Sequence, residues 1–232
     1  MLTLRRAGDR GHFDFGWLDT RHTFSFGDYF EEGHHAFRAL RVLNEDRVRP
    51  GQGFGTHGHR DMEILTWVLE GGLAHKDSLG GAGVIRPGEA QAMSADTGIQ
   101  HSEFNASATE PVHFLQIWVI PDRKGLAPRY QQVVFEDGAL RNRLGLIASR
   151  DGRDGAVQMS QDVSVSVARL DPGASVMHAF EAGRGGWLHV ARGSVKANGV
   201  ELQAGDGLAL EDEAALDVAA LEAGEILLFD LG

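Results

Sequence analysis

The stretch Gly51–Gly71 reads GQGFGTHGHRDMEILTWVLEG, and its two halves differ in kind. The first carries His57 and His59 with a single glycine between them; the second is an apolar run from Ile64 that closes at Glu70-Gly71. A short apolar run rich in branched and aromatic residues and ended by glycine predicts a strand followed by a turn. Alternate side chains of a strand share a face, so His57 and His59 present both imidazoles to one side of a sheet. Farther on, Gly81–Asn105 reads GAGVIRPGEAQAMSADTGIQHSEFN, where Pro87-Gly88 marks a turn ahead of another strand pair. His101 and Glu103 repeat the same spacing there. Two such strands facing each other would gather three imidazoles and one carboxylate around a point. Three nitrogens and one oxygen suit a divalent first-row metal, and no thiolate is present to mark a structural zinc site or an iron–sulfur cluster.

The unit built around these strands occurs twice. RPGQGFGTHGH, WVLEGGLAHKD and VIRPGEAQAMS in the first half are answered by DPGASVMHAF and LHVARGSVKANGVELQAGDGLAL in the second. Pro50-Gly51 corresponds to Pro172-Gly173, Gly71 to Gly193, and Gly88-Glu89 to Gly205-Asp206, while Asn198-Gly199 is a strong hairpin signal. Repetition of one β unit with few helical stretches predicts an all-β chain of two stacked antiparallel β-barrel lobes. Residues 1–135 form the expected metal-binding domain and 136–232 the second, with Glu136–Gly155 as the joint. The second copy keeps only His178, between Met177 and Ala179, and has AALDVA in place of QHSEF. Leu216 and Asp217 cannot rebuild the site, so this lobe is expected to hold no metal, with His178 structural or superficial, and to shape one wall of the pocket.

Composition narrows the classes further. With 232 residues the chain has ample length for a buried core, and its lack of cysteine excludes disulfide and thiol chemistry. No apolar run approaches the ~18 residues of a membrane span, and MLTLRRAGDRG lacks the apolar segment of a secretion signal, so a cytoplasmic protein is expected, acting as a monomer. The net charge of −11 argues against direct nucleic-acid binding. Only Arg38, Arg41, Arg47 and Arg49 cluster, interrupted by Glu45 and Asp46, which reads as a solvated face. There is no GxSxG elbow, Walker loop or GxGxxG before a helix, so hydrolase, kinase and nicotinamide readings lose their usual support.

The arrangement of a glycine, five residues, HxH, three residues and Glu63, followed by a PG turn and a later histidine, resembles the metal motifs of the cupin superfamily. Gly71 comes one residue later than is usual in cupins, the turn is PG where PxG is common, and HxE replaces a lone histidine. That extra carboxylate, with GWLDTRHTFSFGDYF from Gly16 to Phe30 and HGHRDMEILTWVLEG, is similar to the pirin family, and most similar to its bacterial members described as quercetin 2,3-dioxygenases. The resemblance covers the whole chain and implies a bicupin fold. It also implies one divalent metal held by His57, His59, His101 and Glu103, with Fe(II) foremost and Mn, Ni, Co, Cu or Zn as alternatives. Glu63, a ligand in many cupins, is not one in pirins and is expected just behind the ligands, orienting an imidazole.

The implied reaction is oxygenolytic opening of the heterocyclic ring of a flavonol such as quercetin, with release of carbon monoxide and Glu103 as catalytic base. The partners would then be an aromatic small molecule and O2. Two alternatives stay open at this point: a metal-dependent regulator of transcription partners, and a cupin enzyme acting on another small molecule. Phe24, Phe26 and Phe54 are candidates for the entrance to the metal, with plain core packing as the bland reading. His34-His35 reads as loop surface, and His12, His22, His75, His113 and His189 lack partners at ligand spacing.

Overall fold

A computed structural model describes residues 1–232. In chain order the first strands are β1 (Leu2–Arg5), β2 (Gly11–Asp14), β3 (Leu18–His22), β4 (Leu40–Val48), β5 (Gly53–His59), β6 (Glu63–Glu70), β7 (Leu73–Asp77) and β8 (Ala82–Ile85). They are followed by β9 (Glu89–Ser94), β10 (Ile99–Asn105), β11 (Val112–Val119), β12 (Arg129–Val134), β13 (Gly145–Ser149), β14 (Val157–Gln158) and β15 (Val163–Leu170). The last are β16 (Ser175–Ala179), β17 (Gly185–Arg192), β18 (Ser194–Ala197), β19 (Val200–Gln203), β20 (Gly207–Leu210), β21 (Ala215–Ala220) and β22 (Gly224–Leu231). The only α-helix is a single turn, α1 (Asp137–Leu140), and no helix is long and apolar enough to cross a membrane.

The chain divides into two compact units. One comprises residues 11–134 and 157–161, the other residues 1–10, 135–156 and 162–232. In the first, a sheet of order β12-β9-β6-β11-β4-β3-β2 accompanies a four-stranded sheet β5-β10-β7-β8. The second repeats the plan with β1-β20-β17-β22-β15-β13 and with β16-β21-β18-β19. The named strand pairings within each unit are antiparallel. Thus β5 and β16, β10 and β21, β6 and β17 hold equivalent places, and the chain is a bicupin. The expected joint, Glu136–Gly155, carries α1 and β13, and β13 pairs with β15 as a strand of the second unit.

Strand parity explains how the first unit is filled. In β6 every residue but the last is buried, because the strand lies in mid-sheet and both its faces are covered; hence the continuous apolar run. Ile64 packs with Met93, Ala95 and Ile99, and Val68 with Leu73, Ile85, Val112 and Phe114. Between these apolar groups, at Thr66 and its cross-strand neighbours Gln91 and Gln116, the same face is polar. Each large apolar side chain so buried contributes about 1.5–3 kcal/mol. The apolar groups therefore stabilise a unit whose middle is given to polar groups.

Two glycines are required by the repeat. Gly71 and Gly193, equivalent in the two copies, have φ of +76° and +71°, and a Cβ there would come within 2.7 Å of the Pro111 carbonyl oxygen and 2.2 Å of the Ala223 carbonyl oxygen, respectively. Asn198 and Gly199, with φ of 45° and 85°, close the β18–β19 hairpin as a two-residue turn. Gly199 has a positive φ but open space around it. Gly193→Ala should accordingly cost more stability than Gly199→Ala, by more than about 1 kcal/mol, since it adds a clash with backbone to the same torsional strain. Urea unfolding of the two variants measures the difference, and equal losses would show that the close approach is not a constraint.

Candidate metal centre

Strands β5 and β10 are hydrogen-bonded neighbours, with His57 directly opposite His101 and His59 opposite Ile99. Past His101 the register shifts, so that Glu103 lies opposite Phe54; β5 carries one extra residue at Gly55–Thr56. This bulge has a chemical effect. It turns the Gly55 carbonyl toward the His57 ring, where the carbonyl oxygen lies 2.8 Å from Nδ1. Nδ1–H donates to that carbonyl, which leaves the Nε2 lone pair free for a metal.

The three imidazoles converge. Ring centroids of His57, His59 and His101 are 4.4–4.9 Å apart, and their nearest nitrogens lie within 4.8 Å of one another. His101 is buried and neither of its ring nitrogens has a hydrogen-bond partner. Two unmet nitrogens in one buried ring are costly, by about 1–3 kcal/mol each, unless something else occupies them. Burial, with His57 beside it, brings His59 down to about 4; burial and the neighbouring imidazoles bring His101 down to about 3. Both rings are therefore neutral near pH 7, as metal ligation requires. The donor set fits a divalent first-row metal ion.

Glu103, only 2% exposed, stands beside this triad and is grouped with His101 and His75, their ligand atoms lying within 4.8 Å of one another. Its carboxylate accepts a hydrogen bond from Gln116 Nε2 at 3.1 Å, while Gln116 Oε1 accepts one from Thr66 at 2.8 Å. Thr66 thereby fixes the amide so that its N–H faces the carboxylate. Burial raises the Glu103 carboxyl to about 7 against the opposing Gln116 bond, with Asp46 adding to the rise.

His75 is the residue that its spacing did not reveal. It lies on β7 opposite Glu103, and Asp77 lies opposite His101. His75 Nε2 donates to Asp77 at 3.0 Å, the ring stacks on Tyr130 at 4.8 Å, and the buried Nδ1 has no partner. Burial raises the Asp77 pKa, but hydrogen bonds from His75 and from the Leu79 and Gly81 amides bring it below the usual range. A carboxylate so held keeps the proton on His75 Nε2 and leaves the Nδ1 lone pair free beside His101 and Glu103. The motif His75-Lys76-Asp77 carries the same i, i+2 alternation as HxH, a signal that was available in the sequence.

Glu63 does not take the expected place behind the ligands. Its carboxylate accepts from Ser94 at 2.9 Å, because Arg60–Met62 interrupt the strand parity between His59 and Glu63. Phe26 and Phe54 do line the cavity over the triad, whereas Phe24 is buried in the core. That cavity is about 260 Å3, and Trp118 closes it with its ring centroid 4.9 Å from that of His59. In the second unit β16 carries His178, which is hydrogen-bonded to Asp230 at 2.7 Å and lies opposite the buried Leu216.

Residues 4–119 match the family model for pirin, and residues 146–231 match that for a quercetinase C-terminal cupin domain. The chain belongs to the pirin family. A curated relative, quercetin 2,3-dioxygenase of Escherichia coli (strain K12), is 46% identical over 231 residues, covering 100% of this chain and 99% of that protein. A crystal structure of the bacterial pirin YhhW from Escherichia coli in complex with nickel(II) superposes with a TM-score of 0.94 at 46% identity, over 100% of this chain and 99% of that one. A quercetin 2,3-dioxygenase structure from Acinetobacter baumannii, at 22% identity and TM-score 0.77, covers 95% of this pirin and 83% of that chain and shares the fold.

Two outcomes follow from the site's electrostatics. In the metal-free pirin, NMR titration should find His59 and His101 protonating well below the ordinary imidazole value of about 6.5. Because their folded values are depressed, the unfolded chain takes up protons first. Their effect on stability is nil above about 6.5 and becomes a growing loss as pH falls from there through about 4. Titration of both rings at the ordinary value would contradict the burial argument. Separately, His75→Ala should weaken metal binding about 10- to 100-fold, the usual effect of removing a group behind a ligand; an unchanged Kd measured with nickel(II) would reduce His75 to packing.

Proposed function

We propose that this pirin is a metal-dependent dioxygenase that opens the heterocyclic ring of flavonols such as quercetin, consuming O2 and releasing carbon monoxide. The observation that carries the reading is the convergence of three imidazoles, with a buried carboxylate beside His101, at an aromatic-walled cavity. Identity of 46% over the full length to a protein named quercetin 2,3-dioxygenase supports it. We assign His57, His59, His101 and Glu103 as the ligands of one divalent metal. Fe(II) is the first choice; the nickel(II) bound by the Escherichia coli pirin supports a first-row ion.

A divalent metal held by these residues would supply Lewis-acid and redox chemistry toward a substrate oxygen and O2. The chain's own residues do the rest. Trp118, Phe26 and Phe54 offer flat apolar walls to a planar substrate and keep bulk water away. Glu103 accepts the proton of the flavonol 3-hydroxyl, which turns the substrate into the electron-rich anion that reacts with oxygen. The Gln116 amide holds the carboxylate in line for that transfer.

Removal of either His57 or His101 as alanine should abolish most metal binding with the fold intact, and stoichiometry should be near one metal per chain, unchanged in His178→Ala. Glu103→Gln should keep part of the metal and lower turnover by on the order of 10² to 10⁴ fold, with partial recovery at higher pH where more flavonol is already ionised. Elemental analysis paired with oxygen uptake on quercetin reads all of these. Wild-type turnover in a fully loaded Glu103→Gln protein would remove the base role. Absence of turnover with every metal tried would favour a regulatory binding protein.

A further inference from the structure

Beside the cavity over the triad lies a second one of about 200 Å3, and the two share Phe26, Asn44, Asp46 and Phe54 in their walls. We propose that this side chamber is the subsite for a hydroxylated aromatic ring of the substrate, and that His22, Asn44 and Asp46 read its hydroxyl groups. The inference rests on the flavonol reading above and adds to it a substrate class: polyphenols that carry hydroxyls on a ring remote from the metal.

The walls set the shape of the occupant. Phe13 and Phe15 stack with ring planes 6° apart, and Phe26 meets His22 edge-on at 5.2 Å. Together with Phe54 they make a slot for a flat ring, which aromatic side chains bind in stacked or edge-on contact. The polar groups set its chemistry. Alternation on β4 puts Asn44 and Asp46 on one face, and alternation on β3 brings Thr20 and His22 to the same chamber.

All three reading residues are more than nine-tenths buried: Asn44 is 4%, Asp46 5% and His22 7% exposed. Asn44 Oδ1, Asp46 Oδ1 and His22 Nδ1 each lack a hydrogen-bond partner. Thr20 bonds the Asp46 carboxylate, so the orphan Oδ1 is what remains. Hydrogen bonding of the His22 ring to the Phe26 carbonyl makes the other nitrogen an acceptor. Desolvation lowers His22 to about 4, keeping it neutral, and raises Asp46 to about 7. Asn44 Oδ1 and His22 Nδ1 are buried acceptors that lack donors, and Asp46 accepts when ionised and donates when protonated; set among aromatic rings, they call for a ring that carries O–H groups, which both donate and accept. A carboxylated or phosphorylated ligand is disfavoured, since Asp28 and Asp46 both face the chamber.

The test is calorimetric titration of the nickel-loaded protein, without oxygen, with two probes. One is quercetin, which has hydroxyls on both outer rings; the other is 3-hydroxyflavone, which keeps only the hydroxyl assigned to the metal. The wild type should prefer quercetin by on the order of 10- to 100-fold. In Asn44→Leu and Asp46→Leu, checked for full metal content, that ratio should fall toward one. Equal affinities in the wild type, or an unchanged ratio in both variants, overturn the subsite. A crystal of the loaded wild type with quercetin tests it without any variant: an outer ring between Phe13 and Phe26 supports it, and a ring placed elsewhere overturns it. Oxygen uptake separates the two readings. Equal KM for both probes leaves ring opening standing and removes the subsite, whereas quercetin preference without oxygen consumption leaves the subsite standing and removes ring opening.

Discussion

The pairing of β5 with β10 is the constraint on which the site depends. Because the strands are antiparallel and His57 lies opposite His101, the two i, i+2 pairs fall on one face without any help from loops. The extra residue on β5 then staggers the two strands, so Glu103 sits across from Phe54 and not from Gly55. The buried nitrogens and carboxylates gathered there are each costly to leave unmet. They are tolerated because apolar groups above and below them, around Ile64 and around Val68, hold the strands in register.

Much of this was legible in the sequence, for a definite reason. Candidate ligands two residues apart on a strand are visible as spacing, and the duplicated Pro-Gly and Gly positions reveal the repeat. What spacing does not show is which strands become neighbours. His75 was missed because its proximity to His101 and Glu103 depends on β7 lying beside β10, and its own neighbour Asp77 resembles a surface charge until the pairing is known. Glu63 was misplaced for the converse reason: three residues outside any strand separate it from His59, and alternation cannot be carried across them. Asn44 and Asp46 gave no signal, since alternating polar residues in a strand ordinarily face solvent.

The two copies of the β unit separate what the fold needs from what the chemistry needs. Both keep the same strand order and the same strained glycine, Gly71 and Gly193. In the second, the strand equivalent to β5 faces Leu216, and His178 is bound up with Asp230, itself held by Arg184. Its interior is a continuous cluster of aliphatic side chains from Ala168 to Leu228. A barrel of this kind is therefore stable with either filling, and the polar middle of the first copy is a functional choice that the scaffold permits.

The pairing of β1 with β20, Leu2 opposite Leu210, bears on how the chain comes together as it is made. Residues 2–5 are synthesised well before residues 207–210, the strand to which they are hydrogen-bonded. Until then they are an unsatisfied edge, while nearly all of the unit that carries the histidines, residues 11–134 and 157–161, has emerged and can condense around its own short-range hairpins. The order of synthesis thus favours completion of the histidine-bearing unit before the sheet containing β1 closes.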